Sequence, residues 1–162
     1  MKRIFALFLA ILPSCGLIPR AAPVPVKTLV AGNPGGTELV VFLPGRWSRV
    51  EEFEREKFFQ IARKRWPDAR LVAPDLHLGY YKNRSVARRL QDDVILPARR
   101  AGVKRVTLVG ISMGGLGALI YDSEYPKQAD EILLLSPYLG EEEAIKEIET
   151  AGGLEKWRPG PV

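Results

Sequence analysis

The sequence predicts an α/β fold: a doubly wound, mainly parallel sheet with helices on both faces. Three observations predict it. Short apolar or β-branched runs alternate with longer stretches of helical period. The stretches between them are long enough for the crossovers that parallel neighbours need. The run Leu39-Val40-Val41-Phe42-Leu43 is apolar without alternation, as in a strand covered on both faces.

In chain order, Thr37 to Leu43 is the first strand, and Pro44-Gly45-Arg46-Trp47 is a turn. Ser48 is placed to cap a helix from about Val50 to Arg65, with Glu51 and Glu52 suiting its N-terminal dipole. Phe53 and Ile61 give that helix an apolar face, and Pro67-Asp68 ends it. Arg70 to Pro74 is the second strand, followed by a loop through Asn83. Ser85 is placed to cap a helix reaching Arg100, closed by Gly102 and interrupted by Pro97, which should kink it or begin a new turn. Arg105 to Val109 is the third strand, Met113 to Tyr125 a helix, and Glu131 to Leu135 the fourth strand. Ala144 to Thr150 reads as a last helix, with Glu141-Glu142-Glu143 at its start and a break at Gly152-Gly153.

The N-terminus has a different character. Lys2 and Arg3 precede an apolar run from Ile4 to Leu12, which is shorter than the ~20 residues a membrane span requires. It has the length of a signal-peptide core. The following Leu12-Pro13-Ser14-Cys15-Gly16 resembles a bacterial lipobox, with Pro13 as a departure from the usual residue. That resemblance implies lipidation of Cys15, the sole cysteine of the chain, and anchorage at a bacterial envelope membrane. The other reading is an ordinary secretory signal. The expected organisation is a signal at 1–14, a Pro-rich tether at 15–26 carrying Pro19, Pro23 and Pro25, and one domain at 27–162.

Charge points to no partner of its own. The net charge is +5, with basic groups at Arg63-Lys64-Arg65, Arg88-Arg89 and Arg99-Arg100. Acidic residues are interleaved with them, no aromatic residues alternate with them, and no nucleic-acid motif is present. Solvated helix faces account for these groups, so no nucleic-acid partner is expected. A single cysteine excludes an internal disulfide.

The chemistry concentrates at Gly110-Ile111-Ser112-Met113-Gly114. A serine hydroxyl attacks an acyl carbon only when it is presented and deprotonated. A sharp strand-to-helix turn presents it, and residues two before and two after must then be small. Here they are glycines, preceded by an apolar strand and followed by a helix. A dinucleotide fingerprint fails at Ile111-Ser112, and no Gly-Lys-Ser suggests a phosphate loop.

The stretch from about Glu38 to Leu139 resembles the first half of an α/β-hydrolase fold enzyme. Val40-Val41-Phe42-Leu43 ends in Pro44-Gly45, where many members have His-Gly. Ala73-Pro74-Asp75-Leu76, with Gly79 beyond, resembles the family's A-P-D-L segment, and the serine turn follows in order. The resemblance implies hydrolysis of a small carboxylic ester, as an esterase, lipase or thioesterase does. It implies Ser112 as nucleophile, with the backbone N–H groups of Met113 and Arg46 as oxyanion donors; Pro44 stands in place of the family histidine beside Arg46. No metal or cofactor is expected, because the mechanism needs none.

No histidine follows Ser112, although the fold's triad runs serine, acid, histidine. Three accounts compete. The chain reads first as truncated after the strand following the serine helix, which would leave Ile132-Leu133-Leu134-Leu135 at an open edge. Second, His77, the one histidine, serves as a displaced base, with Asp75 or Asp93 as the acid. Third, the protein is a non-catalytic envelope lipoprotein that binds a ligand or partner. Tyr80-Tyr81, Trp47 and Tyr138 are candidates to line a pocket or to serve as ordinary core and rim aromatics.

Overall fold

A computed structural model describes residues 21–153 together with Glu155, Lys156 and Arg158. Cys15 and the signal segment therefore lie outside the described residues. Five strands form one sheet: β1 (Thr28–Gly32), β2 (Glu38–Leu43), β3 (Arg70–Pro74), β4 (Arg105–Ile111) and β5 (Glu131–Leu135). Their order is β1-β3-β2-β4-β5, and every pairing is parallel except β1 with β3. The expected mainly parallel sheet is therefore present. The sequence reading missed β1, a short antiparallel edge strand whose Gly32 end and polar flanks give little periodicity.

Strand alternation sends β2 into two cores. Leu39, Val41 and Leu43 pack under one helical layer with Val72, Val106 and Leu108. Val40 and Phe42 pack on the other face with Leu71, Ala73 and Val109. Each strand residue serves one face, so an unbroken apolar run is what a doubly covered strand requires.

The second face is covered by α1 (Glu52–Arg55) and α2 (Phe58–Arg65). A single helix over 50–65 was expected. It breaks at Lys57, whose φ is 63°, and this lets Phe53, Phe58 and Phe59 pack together, with Phe53 and Phe59 also on Phe42. Ser48 does not cap α1; Glu51 holds the N-cap position without a side-chain bond.

The first face carries α3 (Leu78–Lys82), α4 (Val86–Leu90), a π turn over Gln91–Ile95, α5 (Leu96–Arg100) and α6 (Met113–Glu124). α3 lies where a loop was expected. Ser85 stands before α4 but makes no cap bond; its hydroxyl donates to Asn83 Oδ1 instead. The π turn answers Pro97. Proline brings a ring and no N–H, and a widened turn just ahead of it absorbs the mismatch without ending the helix. Asp93, expected on a solvated face, is half-buried there instead, its side chain 8% exposed. Arg89 donates to Asp92 at 2.7 Å and to Asp93 at 3.0 Å, and Asp93 Oδ2 also accepts the Val26 N–H at 2.9 Å.

The last residues of the expected tether lie on the domain. Val26 is buried in the first core, and Ala22 packs against it. Beyond β5, α7 (Glu142–Thr150) opens on Glu142 and Glu143, as the acidic run suggested. Among the described residues, no helix is long and apolar enough to cross a membrane.

Candidate active site

The serine turn sits between β4 and α6. Ser112 has φ 51° and ψ −116°, a region that side chains other than glycine rarely occupy. The glycines around it explain how this backbone survives. A Cβ on Gly110 would lie 2.5 Å from Gly114 O and 2.6 Å from Gly115 Cα. One on Gly114 would strike the carbonyls of Leu43 and Pro44, and one on Gly115 would lie 2.8 Å from Pro137 Cβ. Any larger residue would push strand and helix apart.

Neighbouring segments pin the turn. The Ser112 N–H donates to Leu135 O at 3.0 Å, at the end of β5. The Ser112 carbonyl accepts from Gly115 and Tyr138 N–H groups, each at 2.9 Å. Under α6, the Tyr81 hydroxyl donates to Met113 O at 2.9 Å, and burial pushes its pKa upward. A Cβ on Gly117 would collide with that hydroxyl. Tyr81 is therefore a brace beneath the serine helix rather than a pocket wall. Tyr80 is a core residue whose hydroxyl donates to Pro23 O.

The Ser112 hydroxyl itself is half-buried and has no hydrogen-bond partner among the described residues. Across from it runs the turn after β2. A Cβ on Gly45 would stand 3.7 Å from Ser112 Cβ, so the turn borders the serine at Gly45. The first-turn N–H of Met113 has no acceptor within its own helix. The structure thus brings Ser112 and Met113 beside Gly45, the residue before Arg46. The Arg46 guanidinium lies 5.0 Å over the exposed Trp47 ring. Tyr138 completes the rim; its hydroxyl donates to Glu141 Oε1 at 2.6 Å, which raises its pKa, and Arg46 opposes that shift.

His77 is in a different situation. It is buried at the N-cap of α3, where Nδ1 accepts the Gly79 N–H at 3.1 Å. That leaves Nε2 as the protonated nitrogen, donating to Ala21 O at 2.9 Å. Both nitrogens are therefore spent on backbone groups. The structure gives His77 the work of a cap, which the sequence could have suggested only from its place before a short helical stretch. Asp93 is likewise committed to Arg89 and Val26. Among the described residues, no three His, Cys, Asp or Glu side chains gather as a metal site would require.

Residues 80–157 match the model of the Esterase family, described as "Putative esterase". No curated protein matches the chain. Among solved structures, one similar chain is a "Lipase-esterase related protein" from Clostridium acetobutylicum, at 19% identity and a TM-score of 0.53, covering 80% of this chain and 55% of that one. A "probable hydrolytic enzyme" from Pseudomonas aeruginosa matches at 19% identity and 0.52, covering 75% and 39%. An esterase from Exiguobacterium antarcticum matches at 18% and 0.50, covering 78% and 52%. The chain thus spans about half the length, or less, of these structures.

Proposed function

We propose that this chain, which has the α/β-hydrolase fold, carries the nucleophile of a carboxylic ester hydrolase, and that the nucleophile is Ser112. The observation that carries this reading is the strained Ser112 backbone, braced by glycines on a strand-to-helix turn with its hydroxyl uncommitted. In the reaction, Ser112 Oγ attacks the ester carbonyl and passes its proton to a base. The Met113 and Arg46 N–H groups hold the oxyanion, each worth about 3 kcal/mol in the transition state. The C–O bond then breaks, the alcohol leaves with the proton, and water hydrolyses the acyl-enzyme.

The base and its acid are supplied, on this reading, by polypeptide seated on the open edge of β5. Two features support that. His77 has both nitrogens engaged. Leu133, Leu134 and Leu135 are 37%, 38% and 44% exposed on a strand whose end holds Ser112 N–H. The notion of a binding-only lipoprotein draws on the same lack of a free histidine. A fluorophosphonate probe separates the two. Labelling of the folded protein that disappears in Ser112→Ala is the expected result, slow in the chain by itself because its own histidine is engaged. A folded protein that never labels sinks the enzyme reading. For the chain by itself, turnover should be weak or absent.

We place the protein at a bacterial envelope membrane through lipidated Cys15. Mass spectrometry of the mature N-terminus tests this: an acylated cysteine is expected, and an unmodified N-terminus at another residue refutes it.

A further inference from the structure

We propose that the Ser112 edge of the domain faces a lipid surface and takes its ester from that surface, with Trp47 and Leu139 entering the interface. This rests on the two readings above, Ser112 as nucleophile and Cys15 as the lipidated residue.

The first observation is topological. Strands β2, β3 and β4 are parallel, and Ser112 follows the C-terminal end of β4. Because β1 runs antiparallel to β3, its first residue Thr28 pairs with Pro74, the last of β3. The chain therefore enters the sheet at the same edge from which Ser112 projects. The segment before β1 is strapped down: His77 holds Ala21 O, Tyr80 holds Pro23 O, and Asp93 holds the Val26 N–H. From Cys15 to Ala21 are six peptide links, which span at most about 20 Å fully extended. A free tether would let the domain tumble. A short one strapped at the serine edge turns that edge toward the bilayer.

The second observation is the rim. Trp47, on the turn after β2, is 74% exposed, and Leu139, just beyond β5, is 65% exposed. They flank Ser112 from two sides, since Gly45 borders its side chain and Tyr138 N–H donates to its carbonyl. Water disfavours large apolar side chains in the open, and a headgroup region accepts them, tryptophan above all. Arg46 over Trp47 suits lipid phosphates, but Glu141 and Glu143, both exposed, act on Tyr138 as Arg46 does, with the opposite sign. These charges offset, so docking rests on the apolar residues and needs no anionic lipid. The acyl transfer is unchanged: Ser112 Oγ gains the acyl group, the lipid ester C–O bond breaks, the lipid alcohol takes the proton, and water releases the carboxylic acid.

The test uses the full chain in phosphatidylcholine vesicles with brominated acyl chains. Trp47 fluorescence is read as the difference from Trp47→Phe, which removes the contribution of Trp66 and Trp157. Lys104→Trp, made in the Trp47→Phe background, reports from the opposite end of β4, about 20 Å away. Trp47 emission should fall by roughly half or more, and Lys104→Trp emission should barely change. The double variant Trp47→Ala with Leu139→Ser should lose about tenfold in Ser112 labelling by a vesicle-embedded fluorophosphonate, with labelling by a water-soluble one unchanged. Unquenched Trp47, or equal quenching at both positions, overturns the orientation. An equal loss with both probes overturns the role of the rim. Quenching of Trp47 in a protein that neither probe labels supports the docking surface and removes the Ser112 reading alone.

Discussion

Ser112 and His77 invite comparison because their surroundings are so alike. Each follows the C-terminal end of a parallel strand, β4 and β3 respectively, and each is the N-cap of the helix that comes next. His77 adopts an ordinary extended backbone, φ −78° and ψ 176°, and its ring turns back to accept the Gly79 N–H. Ser112 has φ 51° and caps nothing with its hydroxyl. A relaxed cap consumes its side chain to satisfy the helix. A strained one aims the side chain away from its own helix and leaves it free for another partner. Residue type alone would assign chemistry to both positions. Backbone conformation separates them.

The largest expected effect tests whether strain and glycine packing belong together. Gly114→Val should cost about 4 kcal/mol or more, read by chemical denaturation, because the new side chain meets the Leu43 and Pro44 carbonyls, which cannot swing aside. Near-normal stability would mean that strand and helix are not in such close contact.

Asp93→Ala should follow at about 3 kcal/mol, since it leaves the buried Arg89 guanidinium short of a partner and frees Val26 N–H. Faster proteolysis ahead of β1 should accompany the loss. Unchanged cleavage there would show that Asp93 does not hold the strap.

His77→Ala sharpens the comparison directly. It should cost about 2 kcal/mol through the lost cap and packing, with His77→Asn recovering part of it, while fluorophosphonate labelling of Ser112 stays unchanged. Labelling abolished in a folded His77→Ala protein would make His77 the base and reverse the assignment. Smallest is Tyr81→Phe, expected to cost about 1 kcal/mol in thermal stability by removing the bond to Met113 O.

Much of this protein was legible in its residues. The apolar runs placed β2, β3 and β4, because strands covered on both faces carry that signal whatever their neighbours are, and the run of β5 placed it although three of its leucines are exposed. Gly110 and Gly114 marked the serine turn, because only glycine fits where two backbones nearly touch. The misses share a cause. β1, the break at Lys57, the helix capped by His77 and the pairing of Asp93 all depend on partners distant in sequence, Pro74, Phe42, Ala21 and Val26 among them.

By itself, then, the sequence determined the α/β alternation and the serine turn, since local period and local sterics are written in adjacent residues. Tertiary structure alone decided that β1 enters antiparallel beside the serine edge and that His77 serves the backbone. Those outcomes depend on which buried donors and acceptors find one another across the fold. A buried polar group must be paired, and the pairing is settled only when the whole chain has closed around it.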